Sequence, residues 1–300
     1  MNMVIYHGNC WDGFCAAWLA HQVWPEAEYV PAQYGQSPPD VSGKDVLIVD
    51  FSYKRDILFK MVGDSKSLTV LDHHKTAQAD LVGFDIECAS NNIGYPDITF
   101  DMDKSGGRLA WEYLYGRRLL PDWWLTTNRS GYSIAVAPWI VDYTEDRDLW
   151  RWKIANSRQV TAALRTYPLD FALWDSLHIE DRVIGRLHAE GEVIRRYETL
   201  LVDQHVSNAR EIAMDGHKIL AVNATVLFSD IAGTLAVGRP FGAAYFDRQD
   251  GKRQWSLRST NDGVDVSEVA KNHCGGGHRN AAGFEEVVSI DGITLTEQRT

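Results

Sequence analysis

The sequence predicts an α/β protein whose N-terminal domain holds a parallel β-sheet with helices on both faces. Short apolar runs at residues 3–6, 45–50 and 68–72 have the length and composition of buried strands. Residues 12–23 and 54–63, which lie beside and between these runs, fit helices. Because parallel strands need a crossover connection that is usually helical, this alternation favours a parallel sheet.

The predicted secondary structure changes along the second half of the chain. The pattern is mostly helical from about 105 to 165, and apolar residues at helical spacing over 182–213 predict a helix that connects two domains. Strand and helix patterns then alternate again, with strands expected at 217–222, 242–247 and 253–258 and helices at about 228–238 and 265–273. We therefore expect an N-terminal domain over 1–181, a connecting helix or linker over 182–213, and a smaller C-terminal α/β domain over 214–300.

Composition and charge restrict the class of protein. The chain has 300 residues, of which 45% are hydrophobic and 24% charged, and its formal net charge is -11. Proteins that bind long duplex nucleic acid usually present a basic surface, because phosphate neutralisation dominates that affinity. The acidic total therefore favours a small ligand in a local pocket over a long duplex.

Other sequence features bear on location. No apolar run approaches the roughly 18 residues of a membrane span, and the N-terminus lacks the pattern of a signal peptide. The four cysteines form no CxxC pair, and free thiols in a reducing compartment are the default. We expect a cytoplasmic protein with no membrane partner, and the oligomeric state stays open.

Potential metal ligands stand at the ends of the predicted strands. His7 and Asp12 follow the first strand, Asp50 ends the second, and Asp72-His73-His74 ends the third. The carboxyl ends of the strands in an open parallel sheet line the ligand-binding crevice, so these side chains should converge. Carboxylate and imidazole donors together suit Mn²⁺ and also Zn²⁺, Fe²⁺ or Co²⁺. One such aspartate alone is often only a helix cap, but three successive strand ends favour a metal site.

An acidic segment at residues 143–150 offers a further ligand. Asp146 is the candidate, with Asp142 and Asp148 as close alternatives. A solvated acidic turn that pairs with Arg147 explains the same segment equally well.

A glycine-rich segment near the C-terminus is a candidate anion site. Residues 275–283 read Gly-Gly-Gly-His-Arg-Asn-Ala-Ala-Gly. Glycines allow positive φ and let successive N–H groups point at an anion, and histidine and arginine donate to phosphate. The candidate substrate-binding residues are Arg258, Ser259, Gly276, Gly277, His278 and Arg279. The alternative for Arg258 is an ordinary surface residue.

Together, these motifs resemble the DHH phosphoesterase superfamily, in the branch with a DHHA1 C-terminal domain. The resemblance rests on Asp72-His73-His74, His7 with Asp12-Gly13, Asp50 after an apolar strand, and the glycine-rich segment, in the family's order. It implies a cleavage site with two Mn²⁺-type ions, for which Mg²⁺ or Co²⁺ are alternatives. It also implies phosphate and sugar contacts from the DHHA1-like domain, through Arg258, Gly276, Gly277 and His278.

The resemblance also implies individual roles. Asp50 would bridge both ions, His7 would hold one, and Asp12, His73 and Asp146 would hold the other. His74 would face the substrate phosphate, with Asp72 as nearby support. The sequence departs from the family in its first motif, where Cys10 stands at the position expected for an aspartate. Cys10 could ligate a softer metal, or it could be a buried structural cysteine.

These observations predict a metal-dependent phosphodiesterase that hydrolyses short oligonucleotides, with nano-RNase-like or exonuclease-like activity, through a metal-activated water. The alternative substrates are a cyclic dinucleotide or 3′-phosphoadenosine phosphate. A non-catalytic nucleotide-binding sensor is the competing class, because the altered first motif would fit a protein that binds without cleaving.

Overall fold

The structure of this chain is a computed structural model that describes residues 1–116, 125–127 and 133–287. The chain divides into two compact units, Met1–Arg196 and Tyr197–Thr300. Each unit has its own main sheet.

The first unit is built on a five-stranded sheet in which every pair of neighbouring strands is parallel. In chain order its strands are β1 (Met3–His7), β2 (Glu28–Ala32), β3 (Asp45–Val49), β4 (Ser67–Asp72) and β5 (Asp97–Phe100). Their spatial order is β2-β1-β3-β4-β5. Two short strands, β6 (Leu125–Thr127) and β7 (Ser133–Ala135), form a separate antiparallel pair.

Helices connect and cover these strands. They are α1 (Trp11–His21), α2 (Arg55–Asp64), α3 (Lys75–Asp80), α4 (Phe84–Ser90), α5 (Gly106–Gly116), α6 (Trp139–Asp148), α7 (Ser157–Leu164), α8 (Phe171–Ile179) and α9 (Val183–Val206). Successive strand side chains point to opposite faces of a sheet. Val4 and Leu47 accordingly pack into one core with residues of α1 and α5, and Met3 and Val46 into another with residues of α2 and α4.

The second unit carries a six-stranded mixed sheet with the order β12-β13-β11-β10-β9-β8. Its elements are β8 (Arg210–Met214), β9 (His217–Asn223), α10 (Phe228–Leu235), β10 (Gly242–Asp247), β11 (Lys252–Arg258), α11 (Val266–Asn272), β12 (Gly276–His278) and β13 (Ala281–Val287). Only β9 and β10 pair in parallel among these strands. Residues of α10 and of α11 pack in separate cores, so helices cover both faces of this sheet as well.

The predicted α/β class with a parallel N-terminal sheet and a second, smaller sheet domain is confirmed. The strands that the sequence did not indicate include β2, β5, β8 and β12, which lie at the edges of the two sheets. Their residues are mostly exposed or half-buried, so they carry no continuous apolar run.

The linker region also differs from expectation. Helix α9 ends at Val206 and β8 follows, so the helix does not extend to residue 213. The boundary between the compact units falls inside α9, after Arg196. No helix among the described residues is long and apolar enough to cross a bilayer.

Candidate metal centre

Three neighbouring strand ends bring the predicted ligands together. In the register of the sheet, Tyr6 lies beside Val49, and Val49 lies beside Leu71. The next residues along the three strands are His7, Asp50 and Asp72, so they come to the same edge side by side. The parallel pairing of β1, β3 and β4 therefore places side chains from distant parts of the sequence at one site.

Asp50 is the centre of this arrangement. Its Oδ2 lies 3.4 Å from Nδ1 of His7, and its Oδ1 lies 3.0 Å from Nε2 of His73. Asp50 is buried and adopts a left-handed backbone conformation with φ of 54°. The two oxygens of one carboxylate thus face two different histidines.

Two sets of potential ligands share this carboxylate. One set consists of His7, Asp50 and His74, and the other set consists of Asp12, Asp50 and His73. Within each set, one ligand atom per residue lies within 4.8 Å of the others. Two sets that overlap at Asp50 are the geometry expected of a pair of ions with a bridging carboxylate.

Helix α5 fixes the position of Asp12. The N–H groups of Gly106 and Gly107 donate to Oδ2 and Oδ1 of Asp12 at 2.5 and 2.9 Å. These groups lie at the N-terminus of the helix, where unsatisfied N–H groups and the helix dipole favour an anion. Ser105 completes the helix start, because its hydroxyl accepts the N–H of Arg108 at 3.2 Å.

Ser105, Gly106 and Gly107 were not among the predicted site residues. The sequence signal for them is a serine N-cap followed by two glycines, which are poor helix formers. Space requires glycine at position 106, because a Cβ there would lie 2.4 Å from Cβ of Asp50; a Cβ on Gly107 would make a tight contact, 3.1 Å from Oδ1 of Asp12.

Asp72 orients the residues that follow it. Its Oδ1 accepts the N–H of His73 at 2.7 Å and lies 2.7 Å from Nδ1 of His74. Asp72 is fully buried. A carboxylate that binds one ring nitrogen of a histidine fixes the orientation of the ring and raises the basicity of the other nitrogen.

Of the three candidate aspartates of α6, the structure places the alternative Asp148, and not the first candidate Asp146, beside His73. Oδ2 of Asp148 lies 3.6 Å from Nε2 of His73. The carboxylate of Asp146 instead accepts the N–H groups of Lys153 and Ile154 at 2.8 and 3.3 Å. Asp142 forms an ion pair with Arg108. The geometry therefore favours Asp148 over Asp146 and Asp142 as the ligand from this helix.

The charges at this site strongly perturb one another. Burial raises the pKa of Asp12 well above 3.8, and the negative charges of Asp50 and Asp148 raise it further. Burial lowers the pKa of His73, but its hydrogen bond to Asp50 and the nearby carboxylates outweigh burial and raise that pKa to about 10. Burial likewise opposes ionisation of Asp50, but His7 and His73 outweigh it and hold the pKa of Asp50 well below 3.8.

This donor set fits a divalent cation. Oδ2 of Asp50 and Nδ1 of His7 are buried and face each other at 3.4 Å without forming a hydrogen bond to any group, which is costly for polar atoms unless another ligand satisfies them. A divalent cation would also offset the repulsion among the carboxylates of Asp12, Asp50 and Asp148.

Cys10 stands directly before α1, where its side chain forms no capping hydrogen bond. Burial and the charges of Asp50, Asp148 and Asp12 raise the pKa of its thiol well above 9.0, which disfavours the thiolate that a metal would bind. Within the part of the chain that the structure describes, Cys10 belongs to neither ligand set.

The predicted anion-binding residues of the second unit lie on or directly after the two strands, β11 and β12, that flank β13. Both Arg258 of β11 and His278 of β12 are register partners of Ala281 on the strand between them. Gly276 and Gly277 form part of β12, so the glycine-rich segment is an edge strand and a turn. Arg279 donates to the carbonyl oxygens of Asn261 and Gly263, and Ser259 donates to that of Arg279.

Comparison with known proteins gives matches over most of the chain. No protein-family model matches. An uncharacterized protein of Acanthamoeba polyphaga mimivirus is 27% identical over 309 residues, which span 95% of this chain and 67% of that protein.

Solved structures are more distant in sequence. RecJ of Thermus thermophilus in complex with Mn²⁺ is 14% identical, with a TM-score of 0.50 over 94% of this chain and 49% of that chain. A pGpG-specific phosphodiesterase of Vibrio cholerae is 13% identical, with a TM-score of 0.48 over 96% of this chain and 94% of that chain. At such identities, the likeness to RecJ establishes the fold alone.

Proposed function

Because the chain shares the fold of the DHH superfamily, we propose that it is a metal-dependent phosphodiesterase that hydrolyses short oligonucleotides. The fold-level likeness to RecJ of Thermus thermophilus, which was solved in complex with Mn²⁺, supports this assignment. The net charge of -11 favours short substrates over a long duplex.

The observation that carries the proposal is the position of Asp50 between two ligand sets. Its two oxygens face His7 and His73 separately; Asp50 and His73 are buried, and His7 is half-buried. A helix-capping or purely structural aspartate would not need a histidine on each side. Asp50 would therefore bridge two divalent ions, with Mn²⁺ as our first choice and Mg²⁺ or Co²⁺ as alternatives.

We assign the other residues by their neighbours. His7 would hold one ion, and Asp12, His73 and Asp148 would hold the other. Asp72 would fix the ring of His74, which would contact the substrate phosphate. Bound divalent ions lower the pKa of a coordinated water and stabilise the charge of a phosphoryl transition state. Phosphate binding remains the predicted role of Arg258, Gly276, Gly277 and His278.

The proposal is tested by product analysis. Purified protein is incubated with Mn²⁺, Mg²⁺ or Co²⁺ and with short oligonucleotides, a cyclic dinucleotide or 3′-phosphoadenosine phosphate, and the products are identified by mass. We expect metal-dependent release of mononucleotides from the oligonucleotides. In Asp50→Asn, turnover should fall by about a hundredfold or more, because the bridge between the ions loses its charge.

Asparagine is the appropriate replacement because it accepts the left-handed backbone of Asp50. Turnover by Asp50→Asn at the native rate would refute the bridging role. If the protein cleaved the cyclic dinucleotide or 3′-phosphoadenosine phosphate in preference to oligonucleotides, that compound would be the substrate and short oligonucleotides would not. Binding of nucleotides without hydrolysis of any of them would favour a sensor.

A further inference from the structure

The turn after α6 holds two tryptophans in a backbone conformation that bulky residues rarely adopt. Trp150 has φ of 55° and Trp152 has φ of 54°. Positive φ is uncommon outside glycine, asparagine and aspartate, and it persists only where the surrounding structure imposes it. Strain of this kind is concentrated at ligand-binding sites.

Asp146 imposes this conformation. Its backbone carbonyl accepts the N–H groups of Arg151 and Trp152 at 2.8 and 3.4 Å. Its buried carboxylate accepts the next two N–H groups, from Lys153 and Ile154. One acidic residue thus binds four successive N–H groups and fixes the path of the turn.

Two arginine side chains lie next to the two tryptophan rings of this turn. The rings of Trp150 and Trp152 lie 5.1 Å apart at 70°. The guanidinium of Arg147 lies 5.4 Å from the centre of the Trp150 ring and 5.6 Å from that of Trp152, and the guanidinium of Arg158 lies 4.1 Å from that of Trp152. We call these four residues the Trp-Arg surface.

The Trp-Arg surface is accessible and has further cations around it. Trp150 is 39% exposed, and Arg151, Lys153 and Arg158 are exposed as well. Acidic side chains lie nearby too, since Asp148 precedes Trp150 by two residues and Arg151 lies 4.0 Å from Glu145. Exposed aromatic rings with neighbouring arginines bind single-stranded nucleic acid by stacking on bases and pairing with phosphates.

Its position connects this surface to the candidate metal centre. Asp148, the last residue of α6, lies 3.6 Å from His73. Trp150 follows two residues later, so their Cα atoms are at most about 7 Å apart. That distance is about the length of one nucleotide of an extended strand.

We propose that the Trp-Arg surface binds single-stranded nucleic acid next to the scissile phosphodiester. A base stacks on Trp150, and Arg147 and Arg158 pair with the adjacent phosphates. This inference rests on the proposed function and extends it: the substrate is a linear strand with unpaired bases beyond the cleaved bond.

The test separates base stacking from charge. A labelled single-stranded pentanucleotide and an abasic strand of the same length are titrated into the chain with the Asp50→Asn change, which slows cleavage, and binding is measured by fluorescence anisotropy. We expect Trp150→Ala to weaken binding of the base-bearing strand by about tenfold or more. Trp150→Phe should restore most of that affinity, because phenylalanine retains a stacking face.

Tyr95→Ala is the matched control. Tyr95 is 86% exposed and precedes β5, so it lies toward the amino-terminal edge of the sheet. This variant should bind the strand as tightly as the parent, and circular dichroism should show that each variant is folded.

Two results would overturn the inference. One is equal affinity of Trp150→Ala and Tyr95→Ala for the base-bearing strand. The other is an equal loss for base-bearing and abasic strands, which would point to altered charge or folding instead of stacking. Both differ from failure of the proposed function, in which the protein without the Asp50→Asn change hydrolyses no strand in any metal.

Discussion

At the scale of single residues, α6 shows how two similar aspartates take different roles. Asp146 and Asp148 are two positions apart, so the 3.6-residue period turns them to nearly opposite faces of the helix. Asp148 approaches His73, whereas Asp146 binds the turn that follows. The two residues can therefore be separated by experiment.

We expect Asp148→Asn to weaken Mn²⁺ binding by about tenfold or more, because it removes a charged ligand. Asp146→Asn should instead destabilise the fold by about 1–3 kcal/mol, since a buried acceptor of two N–H groups loses its charge. Calorimetric Mn²⁺ titration and thermal unfolding without metal measure the two effects. Loss of Mn²⁺ affinity in Asp146→Asn alone would restore the original assignment of that residue as the ligand.

At the scale of elements, the close approach of α5 to β3 builds one wall of the candidate metal centre. Gly106 lies against Asp50, and Gly107 lies against Asp12 and Cys15. These contacts explain why the helix begins with residues that disfavour helix formation.

Replacement of Gly106 by alanine tests this approach. The new Cβ would lie 2.4 Å from Cβ of Asp50, so we expect destabilisation by about 1–3 kcal/mol and weaker Mn²⁺ binding. Gly185→Ala is the control, because Gly185 lies in α9, where an added Cβ would have no atom within 4 Å apart from its chain neighbours and the backbone of its own helix. That change should stabilise the protein by about 0.5–1 kcal/mol. Equal effects of both substitutions on the melting temperature would contradict the close approach.

The central elements and the ligand types could be predicted from sequence because their signals are local. Strand β3 is apolar from Val46 to Val49, and β4 is apolar from Leu68 to Leu71 except for Thr69; Asp50 and Asp72 stand at or directly after their ends. The choice among Asp142, Asp146 and Asp148 could not be predicted, because it depends on which face of α6 meets the sheet. Edge strands such as β2 and β8 were missed because a half-exposed strand gives a weak pattern.

At the scale of the whole molecule, the protein is acidic, and part of its negative charge is concentrated around His73. The formal net charge is -11, and three carboxylates surround His73 within 3.7 Å of its Nε2. In the absence of metal, the protonated imidazole provides the compensating positive charge. The stability of the metal-free protein should therefore depend on pH through this residue.

The sign of that dependence follows from the pKa of His73. Its ordinary value is 6.5 and its value in the folded protein is about 10. The stabilisation is therefore complete below about pH 6.5 and is lost as the pH rises towards 10. We expect the melting temperature of chelator-treated protein to fall by several degrees across this range.

Two comparisons check the origin of this effect. His73→Gln should reduce the slope, because glutamine does not titrate and only the smaller contribution of His7, whose pKa Asp50 also raises, is left. Saturating Mn²⁺ should also reduce the slope, because the metal replaces the proton on the ring. A metal-free melting temperature that rises between pH 6.5 and 10, or an unchanged slope in His73→Gln, would contradict this account.

The left-handed backbone at Asp50 constrains how this position can vary over evolution. A carboxylate is needed for charge, while φ of 54° is tolerated best by glycine, asparagine and aspartate. Aspartate alone meets both demands. Glutamate preserves the charge but not the local geometry, so a homologue with glutamate here would need a compensating change in the backbone between β3 and α2.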